Sequence, residues 1–344
     1  MKKIKLYGSW LTVNRYCNFK CLWCYAKETG YRKKDEMELD LAKNLIDLEK
    51  KLEIRDVIFV GGEPTFWKYL FETNDYVKKK KMSSCLVTNG FLFSNKRFME
   101  KIAKSPFDSI SVSLKAGDAI QHKKLTDSDT FEKVLSGLRN LRKNNYKFGV
   151  SITLNPLVAN NLDEVIKIAI DNGAKDVGIE FCTPAFKKNI PYQDYMMNPD
   201  EIVKCILHHY QTIDRYTKGK LIIQQSLPFC LWPSDFLNTL KKKNQIVAGC
   251  HVLRKEGLIF DPQGRLIPCN VLCDCALGQY GVDFNDVKSF LSFWAKPEIA
   301  GFYKQIIAYP SHQCIGCSQY EECGGGYPLQ WFVFKPKEII PKRR

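Results

Sequence analysis

The sequence predicts an α/β protein: a partial, TIM-like (β/α)6 barrel followed by a small cysteine-rich domain. Three observations carry that prediction. Short apolar strands alternate with amphipathic helices through the first 182 residues, which makes βαβ units and a parallel sheet. No clear dinucleotide fingerprint accompanies them, which favours a barrel over a doubly wound sheet. Of fourteen cysteines, three fall within residues 17–24 and seven within 250–323.

Residues 4–14 read as the first strand and lead into the first cysteine loop. Residues 39–52 form an amphipathic helix, and 56–60 a short apolar strand ending at Gly61-Gly62. Helix 69–80 follows, then strand 85–88, closed by Asn89-Gly90. Residues 96–104 read as helix and 109–114 as strand. Helix 131–144 lines up Phe131, Val134, Leu135, Leu138 and Leu141 at i, i+3, i+4 spacing. Strand 148–154, helix 162–172 (stopped by Gly173) and strand 176–181 complete six repeats. In barrels the chemistry sits on loops after the strands, and both distinctive early motifs fall there. From Thr183 onward Pro184, Pro191, Pro199, Pro228 and Pro233 cut the chain into short pieces, with 199–216 the one clear helix. Cys, Gly and short turns dominate from Gly249. The expected organisation is a barrel at 1–182, a connecting region at 183–245, a cysteine-rich module at 246–330 and a basic tail at 331–344.

The chain has 344 residues, 45% of them hydrophobic and 26% charged. That is enough apolar material for a core and excludes intrinsic disorder. No run nears the ~18 apolar residues of a membrane span, and polar residues break any signal-peptide core near the start. A cytoplasmic setting is expected, where thiols stay reduced and cysteines in quantity serve as metal ligands or reactive groups. The formal charge is +15. Lys78-Lys79-Lys80-Lys81, Lys241-Lys242-Lys243 and Lys342-Arg343-Arg344 read as solvated ends, with no nucleic-acid motif beside them. Such a surplus can still steer an acidic partner.

Cys17-Asn18-Phe19-Lys20-Cys21-Leu22-Trp23-Cys24 has the form CxxxCxxC. Three thiolates on one tight loop reach three corners of an iron–sulfur cube, whereas four saturate it. One iron then stays open to a ligand, as a catalytic cluster needs. Zinc sites pair two such hairpins or add histidine, and the first histidine in the chain is His122. With Tyr25 next, and Gly61-Gly62-Glu63-Pro64 after the second strand, residues 8–182 resemble the radical S-adenosylmethionine superfamily.

That resemblance implies a [4Fe–4S] cluster on Cys17, Cys21 and Cys24, its open iron chelated by the amino and carboxylate groups of S-adenosylmethionine. One electron cleaves the sulfonium to methionine and a 5′-deoxyadenosyl radical, which abstracts a substrate hydrogen. Tyr25, Gly61, Gly62, Glu63 and Pro64 are the implied cofactor-binding positions. The glycines let the backbone approach the cofactor, and Glu63 accepts from its ammonium group. Ser113, Thr153 and Asn155 match more loosely at strand ends. Lys115 stands where related enzymes carry an acid, and offers a cation to the cofactor's or a substrate's carboxylate.

The second cysteine cluster runs from Cys250 through Gly264 and Cys269 to Cys314-Ile315-Gly316-Cys317 and Cys323. It resembles the SPASM/Twitch extension, which holds auxiliary [4Fe–4S] clusters. Tyr327 takes the place of a cysteine in the full SPASM pattern. Cys250, Cys269, Cys314 and Cys317 supply the shorter Twitch set, and Cys323, Cys273 and Cys275 remain, either to substitute for the missing ligands or to leave an iron open to substrate. One or two auxiliary clusters are expected, with a structural zinc ribbon as the competing reading. Cys85, Cys182, Cys205 and Cys230 lie in apolar contexts and read as packing residues; Cys182, ending the sixth strand, is also a candidate hydrogen-atom donor.

The expected activity is that of an oxidoreductase acting on a residue of a ribosomally made peptide. Its expected partners are an acidic leader peptide and an acidic redox donor such as flavodoxin or ferredoxin. Because the sequence opens almost at the barrel, a leader is expected to meet the barrel, the connecting region or a separate protein. A sugar or cyclitol dehydrogenase is the alternative. Sulfatase maturation ranks lower, since Asn270 replaces the aspartate base those enzymes carry after the cysteine matching Cys269. RNA modification lacks an RNA-binding domain, and a plain electron carrier does not explain the three-thiol loop.

Overall fold

A computed structural model describes residues 5–26, 34–187, 190–192, 195–224, 227–252, 254–306 and 308–341. The Lys342-Arg343-Arg344 run lies outside them. Six parallel strands follow one another in chain order: β1 (Gly8–Thr12), β2 (Asp56–Val60), β3 (Ser83–Thr88), β4 (Ser109–Ser113), β5 (Gly149–Leu154) and β6 (Val177–Phe181). Between them run α1 (Leu39–Lys51), α2 (Leu70–Lys79), α3 (Lys96–Lys104), α4 (Ala119–Thr126), α5 (Phe131–Lys143) and α6 (Leu162–Asp171). This is the expected partial barrel. The first strand begins at Gly8, and the expected start at residue 4 lies outside the described residues. Helix α4 is an addition: its sequence AIQHKKLT has almost no apolar stripe, so periodicity does not reveal it. Its one local signal is the Asp118 N-cap, which accepts from Gln121 N.

The sheet continues past both ends of the six. A hairpin of β7 (Ala185–Lys187) and β8 (Ile190–Tyr192) stands apart, then α7 (Pro199–Thr217) leads to β9 (Leu221–Ile223), parallel to β6. After α8 (Ser234–Lys242), β10 (Gly257–Phe260) returns to pair in parallel with β1, and β11 (Arg265–Leu266) and β12 (Gly278–Gln279) add antiparallel. The ten strands thus run through the expected boundaries at 182 and 246. An open barrel has two unpaired edges, and these short strands cover them. Two further helices, α9 (Val287–Trp294) and α10 (Pro297–Ile306), stand where only turns are expected; Phe290, Phe293 and Trp294 of α9 pack with Phe284 and Tyr303.

Alternation along the strands sorts the two faces. Leu11, Val57, Phe59, Leu86, Val112, Val150, Ile152 and Ile179 are fully buried or nearly so and belong to the main core. The alternate set (Trp10, Ile58, Val60, Cys85, Val87, Ser111, Ser113, Ser151, Thr153 and Glu180) is only half-buried. Side chains of a strand point to opposite faces, so this second set lines the inner wall of the partial barrel.

One buried carboxyl sits on the helix side. Glu49 of α1 accepts from Ser9 Oγ of β1, and its Oε2 has no partner. Burial pushes its pKa up to about 8, with the Ser9 hydrogen bond opposing. A carboxyl raised in the folded state binds more protons there than in the unfolded chain. Stability is therefore expected to fall as pH rises from 4.5 toward 8, by of order 2–4 kcal/mol. Denaturant titrations at pH 5 and pH 8.5 check this, and Glu49→Gln should flatten the difference.

Candidate active site

The cysteine loop leaves the end of β1 and is held from three directions. Gly62 N–H donates to Asn14 O at 2.9 Å and Glu63 N–H to Tyr16 O at 2.6 Å. The Asn14 side chain in turn donates to Glu63 O at 2.9 Å. A Cβ on Gly61 would overlap Asn14 Oδ1, and one on Gly62 would overlap the Tyr16 carbonyl oxygen. The two glycines therefore allow close approach, but to the backbone entering the cysteine loop. Behind Asn14, the buried Arg15 lies 3.8 Å from Asp261, which also pairs with Arg265 at 2.6 Å.

Glu63 is the hub of this contact. Its carboxylate is almost completely buried and accepts from Thr65 N at 3.1 Å, Thr65 Oγ1 at 2.6 Å, Thr88 Oγ1 at 2.6 Å and Asn89 N at 2.7 Å. Burial raises its pKa while these bonds pull it back. With four donors from its own chain, the carboxylate ties the loop after β2 to the end of β3. Pro64 is buried and opens the short turn that Glu63 caps. Asn89 then reaches back, donating to Asn18 Oδ1 at 2.8 Å and lying 3.9 Å from Cys17 Sγ.

The third support is α4. The last carbonyls of a helix lack intrahelical partners, and two of them accept from the cysteine loop: Lys20 N to Thr126 O at 2.8 Å, Leu22 N to Leu125 O at 3.0 Å. His122 of α4 is buried between Phe19 and Phe131. Burial holds its pKa down near 4, so it packs as a neutral ring. Cys17, Cys21 and Cys24 are all half-buried and outside any disulfide. Burial raises Cys17 to about 12, with Glu63 adding to it, and Cys21 to about 11, with Lys115 opposing.

On the inner wall, Lys115 places its ammonium 5.7 Å from the Trp23 ring centroid, within the electrostatic reach of Cys21 and Glu180. Glu180, in register with Thr153, has its pKa raised by burial and lowered by Lys115. Sequence reasoning missed it, although an acid inside VGIEF was a visible signal. Ser113 and Ser151 hydroxyls pair at 3.1 Å. The Asn155 amide donates to Thr153 O at 2.9 Å and its Oδ1 accepts from Leu157 N at 3.0 Å, so its side chain closes its own turn. Cys182 is buried and its thiol is held protonated, pushed up to about 12.

The later cysteines divide into two groups. Cys250, Cys269 and Cys273 pack around Val271, Ile267 and Tyr327, with Tyr25 against the same patch. Tyr327 Oη lies 3.7 Å from Cys269 Sγ, and Asn270 Oδ1 accepts from Thr12 Oγ1 at 3.1 Å. Cys275 follows in the same turn, its N–H donating to Leu272 O at 2.9 Å, and Leu272 packs against this patch. The second group is Cys314, Cys317 and Cys323, with the Phe229 amide donating to Cys323 Sγ at 3.3 Å. Among the described residues no three Cys, His, Asp or Glu side chains converge on a single metal ion; a four-iron cube instead spreads its ligands over separate corners.

The fold and site together define a partial (β/α) barrel with a three-thiol loop at the strand ends above a polar inner wall. Residues 11–171 match the radical SAM superfamily model, and this part of the chain is a radical SAM domain. Such a domain implies S-adenosylmethionine and a [4Fe–4S] cluster. The chain is 30% identical over 143 residues to Fe-coproporphyrin III synthase of Methanosarcina barkeri, covering 42% of this chain and 36% of that protein. It is 27% identical over 206 residues to the AdoMet-dependent heme synthase of the same organism, covering 60% and 58%. A probable GTP 3′,8-cyclase of Thermococcus kodakarensis is 27% identical over 128 residues, covering 37% and 41%. The chain thus spans between about a third and three fifths of these relatives. Among solved structures, Streptococcus suis SuiB bound to S-adenosylmethionine superposes with a TM-score of 0.71 at 14% identity, covering 98% of this chain and 77% of that one. The protein anSMEcpe with bound AdoMet gives 0.70 at 17% identity, covering 93% and 86%. These two likenesses establish the fold. No helix among the described residues is long and apolar enough to cross a membrane.

Proposed function

We propose that this protein is a cytoplasmic radical S-adenosylmethionine oxidoreductase that modifies a residue of a ribosomally made peptide by cross-linking, oxidation or epimerisation. The observation that carries this reading is the Cys17–Cys21–Cys24 loop, braced on three sides and set above a wall bearing Lys115, Glu180 and Cys182. The donor set fits an iron–sulfur cluster: three thiols on one loop, half-buried and in no disulfide. When bound, the cluster and S-adenosylmethionine supply reductive cleavage of the sulfonium and hydrogen abstraction. The chain's own residues hold and orient the reactants. Lys115 meets a carboxylate, Glu180 an ammonium or hydroxyl group, and the protonated Cys182 thiol gives a hydrogen atom to a substrate carbon radical, its sulfur being left one electron oxidised and re-reduced by the redox donor. Residues 246–330 act as a SPASM/Twitch-like auxiliary domain.

The peptide substrate is supported by SuiB, solved with its precursor peptide SuiA, and by anSMEcpe, solved with the Cp18Cys peptide. A charge of +15 favours an acidic leader and an acidic redox donor, with association that slows as salt rises. Co-expression with short peptides encoded nearby, followed by mass spectrometry, tests the reading. Loss of a hydrogen pair marks cross-linking or oxidation; deuterium uptake at constant composition marks epimerisation. Turnover of a free sugar or cyclitol with every peptide unmodified would instead make it a small-molecule dehydrogenase.

Gly62→Ala tests the loop geometry. The new Cβ meets the Tyr16 carbonyl, a backbone atom with little room to yield. S-adenosylmethionine affinity is expected to drop at least about tenfold, or about 1.4 kcal/mol, read from the cofactor-induced change in the cluster's electron paramagnetic resonance signal.

A further inference from the structure

We propose that Cys230 is an iron ligand, completing with Cys314, Cys317 and Cys323 a four-thiolate site for a [4Fe–4S] cluster at the protein surface. This rests on the reading that the C-terminal cysteines hold auxiliary clusters, and it names a ligand that the cysteine spacing of that region does not contain.

Phe229 and Cys323 are 94 positions apart, yet the Phe229–Leu231 turn sits directly on the Cys323 turn. The Phe229 amide donates to Cys323 Sγ at 3.3 Å. Gly326, with φ +80°, faces Pro228, and a Cβ there would stand 2.6 Å from Pro228 Cδ. Lys241 of α8 pairs with Glu322 at 2.7 Å and lies 4.1 Å from the Phe229 ring centroid. Three separate contacts therefore press the two turns together, and Cys230 is the next residue along. Its thiol lies in the electrostatic reach of Cys323, Cys314 and Cys317 together. Backbone N–H bonds to sulfur, like that from Phe229, are a recurring feature of cluster ligands and tune their potential.

The assignment also resolves a count. Cys250, Cys269, Cys273 and Cys275 form one neighbourhood, which leaves Cys314, Cys317 and Cys323 one thiol short of the four that saturate a cube. Cys230 supplies it from upstream, where a spacing pattern confined to the C-terminal module does not look. A packing role fits it poorly, because a packing cysteine is buried and Cys230 is exposed.

Exposure makes the test sharp. The full chain is loaded anaerobically with iron and sulfide and treated with iodoacetamide before and after iron is stripped by a chelator. Peptide mass spectrometry should find Cys230 protected together with Cys314, Cys317 and Cys323 in the loaded protein and alkylated after stripping, while Cys205 behaves alike in both. Equal labelling of Cys230 before and after stripping overturns the proposal. In parallel, Cys230→Ser should lower the iron content from about twelve per chain toward eight, or yield a three-iron resonance signal. A Cys314→Ala/Cys317→Ala variant should lose the same four irons. If that variant loses iron while Cys230→Ser keeps all of it with no three-iron signal, Cys230 is not a ligand. If the double variant keeps all its iron, the auxiliary-cluster reading itself fails.

Discussion

Replacing Cys17, Cys21 and Cys24 together by alanine is expected to abolish 5′-deoxyadenosine formation from dithionite and S-adenosylmethionine while leaving most of the bound iron in place. The loop is where a catalytic cluster with an open iron belongs, because its three half-buried thiols stand together above the inner wall. The other two cysteine groups are built from residues 230–323 and do not share these ligands. Anaerobic assay by chromatography, with iron and sulfide counts on the same sample, reads both halves. The expected result is no detectable cofactor cleavage and the loss of about four irons. Cleavage at the wild-type rate in the triple variant would show that the reactive site lies elsewhere.

Glu63→Ala is expected to be the most destabilising single change in the barrel. The substitution leaves the Thr65 and Thr88 hydroxyls and the Asn89 and Thr65 amides facing a cavity. Each buried donor left without a partner costs about 1–3 kcal/mol. Some of that is recovered, since the wild-type protein also bears the cost of burying a carboxylate. A net loss of about 3–5 kcal/mol follows, seen as a lower denaturation midpoint. Glu63→Gln keeps the shape and one acceptor, and should lose less than half as much. Equal losses in the two variants would mean that volume, and not the hydrogen-bond hub, sets the effect. Because the hub positions Asn89 against Asn18 and Cys17, the alanine variant should also weaken cofactor binding.

Features encoded within a few neighbouring residues are legible in the amino-acid sequence. Strands β1 to β6 each carry their own apolar alternation, and α5 carries a complete apolar stripe at Phe131, Val134, Leu135, Leu138 and Leu141. The three thiols of CxxxCxxC lie within eight positions, so chain connectivity alone brings them together. The same holds for the Gly61–Pro64 turn. Helix α4 is not legible because it has little amphipathic signal, yet its terminal carbonyls hold the cysteine loop. Strands β10, β11 and β12 are not legible either, because two to four residues are too few for a period of two to register.

Local spacing and periodicity thus suffice for the barrel and the thiol loop, because those depend on side chains that the backbone keeps adjacent. What faces what across the fold is decided by packing. The glycines of the second loop pack on the backbone of the first, Glu63 accepts from Thr88 and Asn89, and Lys115 lies within the electrostatic reach of Glu180 across the inner wall. The sorting of the later cysteines into two neighbourhoods, with the Cys230 turn seated on Cys323, is of the same kind. Such pairs are dozens of residues apart, and only closure of the sheet and docking of the later segments bring them together.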